Sequence, residues 1–410
     1  MKKINECRCC GEKKLKLYLD LGLQPLANSY HKGEKLKKYP LKVMVCRNCF
    51  HSQLNVVVNP PTMFKNYLYV SGTTDSFRNH TKELAKDAIK RVKNKKPKVL
   101  DIACNDGTQL EYFRDLGCEV FGVDPAENLR PITRKKKIPV IVDFWSSKIA
   151  KKYKEKIDII TATNVFAHVN RIDLFLRDSK AAINEDGVII IEFPYAQKMI
   201  SHNEFDTVYH EHLSYFLVNS FKTLADRMNL VIVDIKETQI HGGSIRFFLK
   251  KTGKESTKVE DLIKEEKKLG LYSEKTYIDF SKRINKNKKD MNTLIKKLKQ
   301  NNEKVIGYGA SAKGNTMLNF YKLKLDYIVD DNELKWNFKT PGMNIPIKPP
   351  DEIRNEKNKL NVVILSWNFF NEISKKVISR RNGKKDYYLL YVPVVKRGEF
   401  QKNSNLNISA

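Results

Sequence analysis

Residues 98–124, KVLDIACNDGTQLEYFRDLGCEVFGVD, constrain the fold more than any other stretch of the 410-residue chain. Val99 and Leu100 begin an apolar run that ends on an acid, Asp101. Ala103-Cys104-Asn105-Asp106-Gly107 then supplies small and turn-forming residues where backbone must pass close to a ligand, and Gly107 can take angles that other residues resist. Leu110, Phe113 and Leu116 follow on one helical face, and Glu119 to Val123 reads as a second strand closed by Asp124. An acid about 20 residues past the loop is where a Rossmann-type site holds ribose hydroxyls. The pattern predicts strand, ligand loop, helix and strand of a nucleotide-binding sheet, with an adenosine at its edge.

What the loop lacks narrows the ligand. Dinucleotide sites use G-x-G-x-x-G because two phosphates sit on the helix N-terminus, whereas this loop carries Gly107 alone. Asp101 and Asp106 would repel a pyrophosphate but suit a ligand bearing a sulfonium and an ammonium, which describes S-adenosylmethionine. Asp143-Phe144, after the apolar IPVIV, is placed to take the adenine amine and stack on its ring. Ile159 to Thr163 reads as a fourth strand whose end delivers Asn164, Phe166 and His168 to the ligand edge. Five strand-like runs alternating with helical patterns predict a parallel sheet.

The chain is long enough for two or three domains, and 41% hydrophobic residues can supply their cores. It has no run of 18 apolar residues, and cysteines follow the first residues where a signal peptide would be apolar, so a cytoplasmic protein with no membrane span is expected. The net charge of +29 raises nucleic acid as a partner. The lysines lie mostly in interrupted runs such as KKYKEK and KKLKQNNEK, as on a solvated surface, and no aromatic-and-basic stacking motif accompanies them. No nucleic-acid partner is therefore expected.

Seven cysteines, clustered early, suit metal ligation in a reduced compartment better than disulfides. Cys7-x-x-Cys10 and Cys46-x-x-Cys49 form two knuckles whose four thiolates match a closed, structural tetrahedral zinc site. Cys9 competes with Cys10, but Cys10-Gly11 has the tight-turn chemistry and the right spacing. The 35 residues between the knuckles predict a short hairpin layer. Residues 62–80 precede and enter a helix at about 77–93, and carry Tyr67, Tyr69 and several hydroxyls that fit either a substrate-facing lid or a half-buried strand.

Tyr209-His210-Glu211-His212-Leu213-Ser214-Tyr215-Phe216 is the densest titratable cluster. On a helical turn Tyr209 and His212 share a face, and on a strand Tyr209 and Glu211 do. A histidine with a carboxylate and a phenol beside it suits proton abstraction. Gln239 to Leu249 reads as a strand from which His241, Ser244 and Arg246 could reach a substrate. Apolar positions across 254–300 fit long helices leading into another domain. That domain opens with Gly307-Tyr308-Gly309-Ala310-Ser311-Ala312-Lys313-Gly314, a second strand-loop-helix unit in which Lys313 offers charge to a phosphate. A strand ending in Asp330-Asp331 follows about 20 residues later.

Nine stretches in order, namely LGLQPLAN between the cysteine pairs, YLYVSGTT, the NDGT loop, NVFAHV, YHEHLSYF, HGGSIRFF, GYGASAKGNT, VDDN with TPGMNIPI, and SWNF, resemble the sugar C-methyltransferases that act on nucleotide-linked 4-keto-6-deoxy sugars. The resemblance implies an α/β fold with a zinc-binding part over 1–70, an S-adenosylmethionine-dependent methyltransferase domain over 71–250, a helical connection over 251–300, and a C-terminal Rossmann-like part over 301–410 that helps hold the nucleotide sugar rather than NAD. It maps the family's base onto His212, with Tyr209, Glu211 and His168 as companions. Glu211 would orient the imidazole, and Tyr209 or His168 would donate to an enolate oxygen. One departure stands out: Ala103-Cys104 occupies the place where such proteins tend to carry Gly-Ser. The alternatives are a sugar O-methyltransferase, a zinc-containing RNA methyltransferase, and a nicotinamide oxidoreductase built on the Gly307 unit.

Overall fold

The computed structural model describes residues 1–64, 70–382 and 384–401, so Tyr67 and Tyr69 lie outside the described residues. Seven strands form the central sheet: β1 (Lys98–Ile102), β2 (Glu119–Val123), β3 (Val140–Ile141), β4 (Ile157–Thr163), β5 (Ile183–Pro194), β6 (Val231–Thr238) and β7 (Ser244–Lys250). Their spatial order is β3-β2-β1-β4-β5-β7-β6. The first five are parallel, and β7 runs antiparallel to both β5 and β6. Strands β4 and β5 are buried on both faces, which is why they read as continuous apolar runs.

The chain moves outward from β1 to β3 and then returns to the other side of β1 as β4. Such a switch point leaves a crevice beyond the carboxyl ends of the strands. The helix Asp75–Ile89, capped by the Thr74 hydroxyl accepting from Phe77 N, and the helix Thr108–Asp115 pack beside it.

The expected hairpin between the cysteine pairs is present as Leu15–Pro25 against Lys38–Cys46, continued by Ser52–Leu54. Its fourth strand, Ser214–Tyr215, comes from far along the sequence, so the YHEHLSYF stretch is stitched to the N-terminal layer. The helix Glu274–Gln300 buries Tyr277, Phe280, Ile284, Met291, Ile295 and Leu298 at spacings of three, four and seven, and turns its lysines outward. It leads to a six-stranded sheet ordered Ile347–Lys348, Ile328–Val329, Lys304–Tyr308, Leu360–Ile364, Tyr387–Leu390, Lys396–Glu399, in which only the last pairing is antiparallel. No helix among the described residues is long and apolar enough to cross a membrane.

Candidate active site

A cavity of about 560 Å³ opens at the switch point. The ends of β1, β2 and β4 form its floor, Phe64 and the 60–61 prolines one wall, Tyr209 and His212 another, and Lys313 of the C-terminal sheet's first helix a third. Its size is that of a small-molecule site.

The loop after β1 is held in left-handed backbone at Ala103 (φ 60°), Asn105 (φ 51°) and Gly107 (φ 76°). Asparagine and glycine accept this; for alanine it costs about 1–2 kcal/mol, which explains why glycine suits the position that Ala103 fills. Two carboxylate oxygens of Asp124 brace the turn, accepting from Asn105 N at 2.9 Å and Ala126 N at 2.8 Å. Asp101 accepts from the Thr161 hydroxyl at 2.6 Å and from Gln109 Nε2 at 3.0 Å. Burial, with the neighbouring charges of Asp124 and Asp106, pushes its pKa up to about 7. Asp106 takes Thr108 Oγ1 at 2.8 Å and Lys136 Nζ at 3.3 Å. Gly107 makes the turn without lining the cavity; its missing side chain leaves room for Ile138, 3.3 Å from where a Cβ would stand.

The donor set fits S-adenosylmethionine. Asp101, Asp106, Asp124 and Asp143 line the cavity, and among the described lining residues Lys313 is the lone lysine or arginine. Phe144 and Trp145 supply aromatic surface beside Asp143. Asn164 Oδ1 and Trp145 Nε1, both buried in the wall, have no hydrogen-bond partner among the described residues. The site therefore presents acids for a cation and unused polar atoms for a heterocycle.

On the opposite side, the chain from 207 to 213 turns so that Tyr209 and His212 face each other, with ring centroids 4.0 Å apart. His212 Nδ1 lies 2.7 Å from the Thr207 carbonyl oxygen, and Nε2 lies 2.8 Å from the Tyr209 hydroxyl. A carbonyl can only accept, so in the neutral imidazole Nδ1 carries the hydrogen and the lone pair on Nε2 receives the phenol. His168 packs 4.9 Å from His212, and burial pushes its pKa down to about 4, so it is neutral at physiological pH.

In the N-terminal layer the sulfurs of Cys7, Cys10, Cys46 and Cys49 lie within 4.8 Å of one another, with Cys7–Cys49 and Cys10–Cys46 both at 3.5 Å. A tetrahedron with metal–sulfur bonds of about 2.3 Å has edges of about 3.8 Å, so the four thiolates fit zinc. Cys9 is buried outside the group.

Three family models match the chain in tandem: a zinc binding domain over 7–64, a methyltransferase domain over 77–235, and a C-methyltransferase C-terminal domain over 239–393. The C-methyltransferase NovU of Streptomyces niveus is 29% identical over 386 residues, covering 90% of this chain and 91% of NovU. The chain is an S-adenosylmethionine-dependent methyltransferase, similar over nine tenths of its length to a C-methyltransferase. A ubiquinone biosynthesis O-methyltransferase of Pelagibacter ubique is 31% identical over 97 residues, which is 23% of this chain and 40% of that protein. A solved methyltransferase from Archaeoglobus fulgidus matches 42% of the chain and 94% of its own length at 17% identity and a TM-score of 0.36, a likeness too slight to add to the assignment.

Several expectations need correcting for this methyltransferase. Glu211 does not line the cavity; it is buried, and its Oε1 accepts from Asn28 Nδ2 at 2.7 Å. The Thr207 carbonyl, not that carboxylate, sits on Nδ1 of His212. Arg246 also lies off the cavity wall: it stands directly opposite Glu192 across the β5–β7 ladder, Nε to Oε2 at 2.8 Å, with His80 on the other carboxylate oxygen at 2.7 Å. Burial alone would raise the pKa of Glu192, but His80 and Arg246 outweigh it and hold it low. Ser244 is likewise off the wall, donating to the Ile240 carbonyl at 3.1 Å, and the side chain of His241 lies outside the described residues.

Lys313 does reach the cavity, and so do Asp143, Phe144, Asn164 and His168. Sequence reasoning missed Trp145 and Thr207. The first was signalled by its place beside Asp143-Phe144. The second acts through its main chain, which leaves no trace in residue type.

Proposed function

We propose that this methyltransferase acts on a nucleotide-linked keto-deoxysugar and methylates a carbon next to the ketone through an enolate. The observation that carries the reading is the Tyr209–His212 pair, with its tautomer fixed by Thr207, in the same cavity as an acidic cofactor loop. When bound, S-adenosylmethionine supplies an electrophilic methyl group. In this reading Asp124 holds the ribose, Asp143, Phe144, Trp145 and the unused Asn164 oxygen the adenine, and Asp101 and Asp106 the charged end.

A carbon flanking a ketone is acidic enough for a positioned base. The Nε2 lone pair of His212 already holds the Tyr209 hydroxyl, so the proton from carbon passes to the phenol oxygen as the phenol proton passes to Nε2. His212 is the final acceptor. General-base assistance of this kind contributes about 10²–10⁴ in rate. Neutral His168 is placed to donate to the enolate oxygen, where charge develops. In this reading 1–70 is the zinc-bearing domain, 71–250 the methyltransferase domain and 251–300 the helical connection. The C-terminal domain, 301–410, helps hold the nucleotide, with Lys313 toward the substrate.

The test is turnover with methyl-labelled cofactor and a panel of nucleoside-diphosphate-linked 4-keto-6-deoxyhexoses, with the product examined by NMR. The expected label is a methyl on a ring carbon, preceded by exchange of that carbon's proton with heavy water that needs His212 and Tyr209. A methyl on oxygen would convert the assignment to an O-methyltransferase, and labelling of RNA with none of the sugar would end it.

A further inference from the structure

Asp206 is fully buried one residue before the carbonyl that holds His212, and nothing in the mechanism above uses it. Its Oδ2 accepts from Trp367 Nε1 at 2.7 Å and from the Tyr391 hydroxyl at 2.7 Å, both buried side chains of the C-terminal sheet's loops. Phe205 beside it stacks on Tyr321 at 5.3 Å. The Phe205–Thr207 turn thus has one side embedded in the C-terminal part and the other presented to the cavity. Lys313 Nζ sits 4.5 Å over the ring of the same Trp367; burial, with the nearby Glu204, pushes the pKa of Asp206 up, against the opposing charge of Lys313 and the two donors. Asp206 Oδ1 makes no hydrogen bond among the described residues.

We propose that Asp206 is a positioning residue for methyl transfer: by gripping Trp367 and Tyr391 it clamps the Phe205–Thr207 turn, which holds the Thr207 carbonyl on Nδ1 of His212 and so keeps Nε2 as the basic nitrogen. The C-terminal part then completes the active site in two ways, through Lys313 in the cavity wall and through this clamp behind the base. The inference rests on His212 being the proton acceptor. A carboxylate serves because one oxygen accepts two donors from different elements, and an amide oxygen could do the same. Alanine at 206 would take the acceptor from Trp367 Nε1, leave the Tyr391 hydroxyl with only the Leu365 carbonyl at 3.3 Å, and free the turn.

The decisive measurement is the tautomer of His212 in the full-length, substrate-free protein, read from histidine ¹⁵N shifts and assigned with a His212→Asn control. The wild type is expected to show the Nδ1–H form. Asp206→Asn should keep it, and Asp206→Ala should give a mixture, with kcat down about 100-fold while KM moves less than about threefold. Calorimetric titration with S-adenosylmethionine checks that the cofactor half is intact. If Asp206→Ala does not fold, Trp367→Phe and Tyr391→Phe, which keep the rings and remove one donor each, carry the same test with smaller shifts. An unchanged Nδ1–H form in a folded variant that has lost the clamp would overturn the proposal. Failure of the sugar assignment would look different: tautomer shifts as expected, with no sugar turned over by any form.

Discussion

The chain contains two strand-loop-helix units of the same design, 98–124 and 304–330, and they meet the cavity differently: the first opens on it with its loop, and the second reaches it through Lys313. In each, an acid at the end of the second strand accepts from a loop amide, Asp124 from Asn105 N at 2.9 Å and Asp330 from Ala310 N at 2.6 Å. In each, the same acid takes the amide two residues on, both at 2.8 Å. What stands in front differs. The first opens on about 560 Å³ of space. In the second, Tyr30 of the N-terminal layer donates to the Ala310 carbonyl at 2.5 Å, Asn315 donates to the Ala27 carbonyl at 2.8 Å, and Lys335 pairs with Asp330 at 3.2 Å. The protein's own side chains cover the second loop and pair with its acid. Equivalent local geometry opens on a cavity in one unit and packs against the N-terminal layer in the other, and the deciding residues come from distant parts of the chain.

The comparison breaks first if the chemistry does not belong to the open unit. His212→Asn should lower turnover by about 10²–10⁴ while leaving cofactor affinity intact, as a turnover assay beside a calorimetric titration would show. Next come the cations that neutralise buried acids. Replacing Arg246 by Met leaves Glu192 with His80 alone, and the buried carboxylate should cost about 3–5 kcal/mol in a urea melt. A loss below about 1 kcal/mol would mean that His80 suffices. The third is a matched pair. Asp124→Ala should weaken S-adenosylmethionine binding about 100-fold, the loss of hydrogen bonds to a charged group, whereas Asp330→Ala should leave that affinity alone and lower stability. NADH should bind neither protein, and its binding at the Gly307 unit would reopen the oxidoreductase reading.

The parts legible in the sequence were those carried by local pattern. Buried strands closing on acids marked both units, and C-x-x-C spacing marked the zinc site. The Tyr209–His212 face was one of two open alternatives, which the turn in the structure decides. What failed was adjacency. Glu211 is next to His212 in the chain, yet it points to Asn28 in the N-terminal layer, because successive residues of a tight turn diverge. Arg246 lies on a strand from which it was expected to reach a substrate, but the ladder register sets it opposite Glu192. Thr207 and Asp206 act through a main-chain carbonyl and a contact with residues some 160 to 185 positions away. Residue type carries no signal for either.

The smallest effect sharpens the comparison at the strand itself. Asp101 stands four residues before Asn105, and the closed unit has Ile306 four before Ala310, so only the open unit buries an acid under its loop. With its folded pKa raised to about 7, Asp101 keeps a proton that the unfolded chain has already lost above its ordinary carboxylate value. The ligand-free protein should therefore lose stability as pH rises toward 7, since the folded state binds the proton more tightly in that window. Cofactor binding should show the opposite slope. A cationic ligand favours the ionised carboxylate, so affinity should climb with pH up to about 7 and then level, by at most about tenfold between pH 6 and 7. Asp101→Asn should flatten both profiles. Calorimetry in buffers of different ionisation enthalpy would count the proton released on binding, and a count of zero at pH 6 would place the cation away from Asp101.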